Sequence, residues 1–275
     1  MEAEQQKPKA HRGAAKALAL LLTINLFNYI DRSVLAALEP PISAEFGLKE
    51  HQAGLLSSAF LYAYMCGAPL LGRLAEKFSR WWIVGGSVAV WSLASGWTGL
   101  AGSFGVLLAS RLIVGIGEAG YGPSAPALIS DYFPVERRGK MMSVFYLAIP
   151  VGSALGYVFG GQVNEWLGWR YAFMLVVIPG LVLAVLSFSM QDPRPAATVK
   201  KEARSLRADA KTLLRIPSYL LNTAAMTAMT FAIGGISFWI PKYMTQRLTL
   251  ESGLLTRSAL GDVSSSLSPP SFSPR

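Results

Sequence analysis

The chain has 275 residues, of which 52% are hydrophobic and only 15% charged, with a mean hydropathy of +0.38. A soluble domain needs far more polar surface, so the composition points to a polytopic membrane protein. The net charge of +9 comes from basic residues lying between apolar runs, which speaks for membrane topology rather than nucleic acid.

Apolar runs long enough to cross a bilayer, about 20 residues each, fall at Ala17–Leu38, Ala53–Leu74, Trp81–Ala101, Phe104–Ser130, Met141–Gln162, Trp169–Met190 and Tyr219–Tyr243. The expected class is therefore all-α with seven spans. The first run is too long, and too interrupted by charge, for a signal peptide. Residues 1–16 form an N-terminal tail, 17–190 a six-span unit, 191–218 a linker and 219–243 the seventh span. Residues 244–275 are expected to be irregular, because the pattern ends in a Ser/Pro-rich tract.

Seventeen of the 25 Lys and Arg residues fall on the side shared by the N-terminus, the second-to-third loop, the fourth-to-fifth loop and the linker. That bias predicts a cytoplasmic N-terminus. In the linker, Leu206, Ala210, Leu213 and Leu214 share one helical face opposite most of the basic residues, the pattern of an interfacial amphipathic helix.

Charge inside the spans is the strongest functional signal. Asp31 and Arg32 stand together in the first run, and Arg111 and Glu118 in the fourth. Ionised groups at that depth are costly unless paired or facing a polar cavity. Arg111 and Glu118 are two helical turns apart, about 10 Å along one face. Two acids and two bases cancel, so protonating one acid would leave a net positive cavity. The four are read as a proton-coupling or substrate-binding cluster. Asn25, Asn28 and Tyr29 share a polar face of the first span with Arg32, and Tyr121 and Ser124 follow Glu118 in the fourth; all five are candidates for lining the same cavity. Transmembrane Asn and Tyr also serve interhelical hydrogen bonds, so they rank below the charged four. Trp81, Trp82, Trp169 and Trp239 stand near span ends, as an interfacial aromatic belt would place them.

Other motifs are less informative. GIGEAG at 115–120 spells a dinucleotide fingerprint but lies inside an apolar helix, where small residues serve helix packing. Gly152, Gly156 and Gly160 form a similar ladder. No His-based triad, Cys/His cluster or phosphate loop is present in the sequence, so neither enzymatic activity nor a metal or other cofactor is expected. Lys242 follows Pro241 at the outer end of the seventh span, the wrong depth for a retinal Schiff base.

GRLAEKFSRWW, residues 72–82, resembles the second-to-third-span motif of the major facilitator superfamily: Gly72, Leu74, Lys77 and Arg80 match, Glu76 replaces an Asp and Ser79 a Gly. Gly72, Glu76, Lys77 and Arg80 are accordingly expected to form a cytoplasmic gating motif. RLIVGIGEAGYGPSAPALISDYFPVERRGKMM, GWRYAF, ISFWIPKYM and the combination of NYIDRS with GEAGYGPSAP resemble the spinster-like branch. The resemblance covers about residues 17–247. It implies a six-helix N-terminal half-bundle plus a seventh helix, and secondary, proton-linked transport of a lysolipid-like or organic-anion solute across the inner membrane of a bacterial cell. Members of the superfamily have twelve spans, so the sequence reads as a truncated form, inactive alone, or as a half-transporter or sensing subunit acting as an oligomer. The expected partners are the lipid bilayer, a small-molecule solute and the proton.

Overall fold

The computed structural model describes residues 11–194 and 206–266. Ten helices and no strands occur among them: α1 (Ala14–Phe46), α2 (Glu50–Lys77), α3 (Arg80–Gly99), α4 (Phe104–Tyr132), α5 (Val135–Tyr146), α6 (Ala148–Leu167), α7 (Trp169–Leu175), α8 (Val177–Phe188), α9 (Leu206–Leu213) and α10 (Pro217–Ser266). The expectations for residues 1–10, 195–205 and 267–275 lie outside the described residues.

Six stretches are long and apolar enough to cross a membrane: α1, α2, α4, α5 with α6, α7 with α8, and Pro217–Ser237 of α10. The third of the seven expected spans, α3, is 20 residues long but diluted by Trp, Ser, Gly and Thr. Its sequence can be less apolar because it is packed against α4, α7 and α8 and much of its surface is buried by protein.

In two spans the helical hydrogen-bond ladder is broken at one residue while the backbone stays in the right-handed helical region. One is interrupted at Leu147, between α5 and α6, and the other at Val176, between α7 and α8. Each upstream helix ends four residues before a proline, Tyr146 before Pro150 and Leu175 before Pro179. Proline has no N–H to give to the carbonyl four residues earlier, and its ring crowds that carbonyl.

Within residues 11–221, α4 lies between α2 and α3, and α1 runs along α6. Glycine sets these close approaches. A Cβ at Gly117 would meet the backbone N of Trp91 at 2.7 Å, and one at Gly156 would meet the carbonyl oxygen of Ile30 at 2.5 Å. Two apolar clusters result. One gathers Leu21, Ile24, Trp81, Val84 and Leu128, the other Val34, Leu38, Ile42, Leu107 and Phe173. Residues 25–32 of α1 fall between the two clusters, so the charged layer is enclosed by apolar packing along the helix axis. Exposed apolar side chains such as Tyr62, Met65 and Leu70 of α2 and Leu155 and Val158 of α6 suit contact with hydrocarbon.

Described by itself, α10 continues to Ser266 rather than ending near Tyr243, which corrects the irregular tail expected from residue 244. MTQRLTLE, residues 244–251, is free of Gly and Pro and holds several good helix formers.

Candidate transport site between α1, α3 and α4

Arg32 and Glu118 meet across α1 and α4. The guanidinium Nε donates to Glu118 Oε2 at 2.8 Å, and Nη2 forms an ion pair with the same oxygen. Burial is unequal: the Glu118 side chain is fully sealed, whereas that of Arg32 keeps 31% of its surface exposed. Three rings surround the exposed guanidinium, with centroids 4.7 Å (Phe60), 5.2 Å (Tyr29) and 5.8 Å (Tyr64) from its central carbon. Cation–π contacts contribute from about 0.5–1 kcal/mol at exposed sites to about 2 kcal/mol when desolvated, so these rings hold the arginine without neutralising it.

Asp31, its chain neighbour, points elsewhere, as the 100° step between successive helical residues requires. Its Oδ2 accepts a hydrogen bond from Ser95 Oγ on α3. Arg111 also turns to α3: its Nη2 donates to Thr98 Oγ1, which lies 2.9 Å from Ser110 Oγ, and its guanidinium lies 5.4 Å from the Phe173 ring centre. Asp31 and Arg111 are within electrostatic reach of each other but form no ion pair. The four charges therefore occupy one layer as two arrangements: a direct Arg32–Glu118 pair, and an Asp31 and an Arg111 each held by an α3 hydroxyl.

The five uncharged candidates divide. Tyr29 is half-buried beside Arg32. Asn28 is buried, and its Nδ2 has no protein partner. The other three are tied into the bundle interior: Asn25 Nδ2 donates to Phe145 O at 2.9 Å, Tyr121 Oη to Leu21 O at 3.0 Å, and Ser124 Oγ to Gly120 O at 2.7 Å. Their polar groups are satisfied by backbone carbonyls, which explains why they face packing instead of a cavity. Trp81 and Trp169 likewise turn inward, donating to Tyr132 Oη and Glu45 Oε2; Trp82 remains exposed.

A second charge cluster forms at the end of the bundle that carries the α2–α3 loop. Arg80 is buried and bridges Asp131 at the end of α4 and Asp192 beyond α8; Arg194 also holds Asp192, with Nη2 2.8 Å from Oδ2. Burial alone would raise the Asp192 carboxyl, but hydrogen bonds from Arg194 and Arg80 together outweigh it and hold the group well below the usual carboxylate range. Of the expected gating residues, only Arg80 joins this cluster. Glu76 and Lys77 are exposed, and Gly72 packs beside Pro123, where a Cβ would lie 3.6 Å from the ring.

Sequence reasoning missed Ser95, Thr98, Asp131 and Asp192. The first two carried a usable signal, since Ser92, Ser95 and Thr98 recur at intervals of three and form a polar stripe on an otherwise apolar helix.

A buried, charge-balanced layer within a bundle of membrane-spanning helices is an arrangement that polytopic membrane proteins keep at functional sites. The profile of the Major Facilitator Superfamily matches residues 21–270, and the chain belongs to that superfamily. Within it the similarity falls on the spinster-like branch. Protein spinster of Drosophila melanogaster is 35% identical over 240 residues, covering 86% of this chain and 40% of the relative. The sphingosine-1-phosphate transporter SPNS2 of Mus musculus is 35% identical over 235 residues, covering 82% and 43%. The chain thus spans less than half the length of these relatives. A crystal structure of a bacterial homolog to the human lysosomal transporter spinster, in an inward-facing and occupied conformation, superposes with a TM-score of 0.64 at 28% identity, covering 68% of this chain and 46% of that one. Proteins of this family are transporters rather than enzymes, and the chain is a multi-pass membrane protein.

Proposed function

We propose that the chain supplies one side of a secondary transport pathway for a small amphiphilic or anionic solute, lysolipid-like or an organic anion, linked to proton movement. The carrying observation is the Arg32–Glu118 pair, in which a sealed acid holds a half-open base. Protonation of Glu118 removes its charge and frees the Arg32 guanidinium to take an anionic headgroup. The rings of Phe60, Tyr29 and Tyr64 then offer apolar surface to the rest of an amphiphile. The name of the SPNS2 relative, a sphingosine-1-phosphate transporter, supports the same pairing of an anionic head with an apolar body.

Asp31 is the second proton-handling acid in this reading, and Arg111 keeps the layer balanced when Asp31 is ionised. The distribution of Lys and Arg supports a cytoplasmic N-terminus, and the similarity to a bacterial structure is consistent with the inner membrane of a bacterial cell. Arg80, Asp131 and Asp192 act as the gating cluster. Alternating access works between two half-bundles, and the six spans of α1 to α8 are read as one of them.

Binding of radiolabelled lysophospholipid, organic anion and neutral amphiphile to vesicles containing the purified chain, measured across a pH series, tests the proposal. Binding of an anionic amphiphile that weakens in Arg32→Ala supports it. Equal binding of anionic and neutral amphiphiles, unchanged by Arg32→Ala, contradicts it.

A further inference from the structure

A small cavity lies beside Asp31, on the opposite side from the Arg32 cage. It is lined by Phe27 and Asp31 of α1, Ser92 and Ser95 of α3, and Gly180 and Leu183 of α8. Its size suits one water molecule. Two buried polar atoms at this cavity have no protein partner, Asp31 Oδ1 and Ser92 Oγ, and both residues are at most 3% exposed. Buried polar atoms are rarely left unsatisfied, because each costs about 1–3 kcal/mol. The place is also shaped for the Ser92 hydroxyl: a side chain at Gly180 would collide with Ser92 Oγ and come within 2.8 Å of its Cβ.

The geometry points to a bound water that bridges Asp31 Oδ1 and Ser92 Oγ and carries protons to and from Asp31. Water fits the donor set, since it donates to the carboxylate oxygen and accepts from the hydroxyl, satisfying both atoms at once. A sodium ion does not fit: the cavity offers two unpartnered side-chain oxygens, and the Arg111 guanidinium acts on the same carboxylate. The charged groups that act on Asp31 are Arg32 from α1 and Arg111 and Glu118 from α4. The α3 and α8 residues of the cavity wall carry no charge. In the transfer itself, a hydronium ion from bulk solvent gives a proton to the bound water's oxygen and leaves as water, while the bound water gives one of its own protons to Oδ1; at the bound water one O–H bond forms as another breaks. Ser92 is thus a positioning residue that acts through the water. This inference rests on the reading of Asp31 as a proton-handling group.

Infrared difference spectra of the purified full chain test it, with the Asp31 carboxyl band assigned by its loss in Asp31→Asn. Ser92→Ala is expected to move the protonated band to higher frequency and to slow its hydrogen–deuterium exchange about tenfold, the rate equivalent of one hydrogen bond. Ser92→Thr, which keeps the hydroxyl, is expected to exchange as the parent does. Ser95→Ala, which removes the direct bond to Oδ2, shifts the band in either case and shows that the readout responds. An Asp31 band and exchange rate unchanged in Ser92→Ala overturn the inference, as does a band that shifts on adding sodium at constant pH. Should Ser92→Ala fail to fold, a high-resolution structure of the parent decides: density within hydrogen-bonding distance of both atoms supports the water, and none there overturns it. The parent reading is judged separately by proton-dependent transport in Asp31→Asn, so the two can fail independently.

Discussion

Arg32 Nε and Nη2 both bond Glu118 Oε2, leaving Glu118 Oε1 without a protein partner in a fully buried side chain. The pair is therefore lopsided, with half of the acid's hydrogen-bonding capacity unused and the base partly open. A fully satisfied network would be more rigid.

Removing the acid alone exposes the cost of that arrangement. Glu118→Leu and Arg32→Leu should each lower unfolding stability, the first by about 3 kcal/mol, the low end for breaking a buried pair because Arg32 keeps part of its surface open. Arg32→Leu combined with Glu118→Leu should recover much of the loss. Thermal unfolding in detergent, read as a double-mutant cycle, checks both.

Helix contact at Gly156 and Gly161 makes an internal comparison. Gly156→Ala places a methyl against Ile30 O at 2.5 Å and the Ser33 Cβ at 2.7 Å, and should cost about 1–3 kcal/mol by overpacking. Gly161→Ala meets no atom within 4 Å and should be neutral or stabilise by up to about 1 kcal/mol. Melting temperatures of the two variants should move in opposite directions, or only the first should move.

The Asp192 cluster sets an acid limit on stability. Because its folded carboxyl lies below the ordinary value of about 3.9, its stabilising contribution is present above that pH and fades as pH falls toward the folded value. Asp192→Asn should therefore destabilise the protein at pH 7 and have progressively less effect below about pH 4. Unfolding midpoints measured from pH 7 downward check this convergence.

Pro150 accounts for the break at Leu147 in physical terms. Pro150→Ala restores an N–H that can donate to Tyr146 O, so the hydrogen-bond ladder across Leu147 should close. Amide exchange at position 150 should be slow in the variant.

Most of the architecture was legible because hydrophobic runs and bilayer thickness dictate helix length almost without tertiary information. The four charged site residues were legible for the same reason, being conspicuous in apolar runs. Their pairing was not. Arg32 and Glu118 are 86 residues apart, and Asp31 and Ser95 are 64 apart, so which groups meet depends on how α1, α3 and α4 pack. Arg80 is similar: its basic character was plain, but its acids, Asp131 and Asp192, come from distant helix ends. The partners of Asn25 and Tyr121, the backbone carbonyls of Phe145 and Leu21, were equally illegible, because a polar side chain in a span serves a carbonyl as readily as a cavity.

Proton dependence of solute movement in vesicles, compared between the parent chain and Glu118→Gln across a pH series, tests the central claim most directly. In vesicles that hold both halves of a transport pathway, the parent should respond to pH, whereas Glu118→Gln should bind anionic solute but lose the response. The same pH dependence in both would contradict the account.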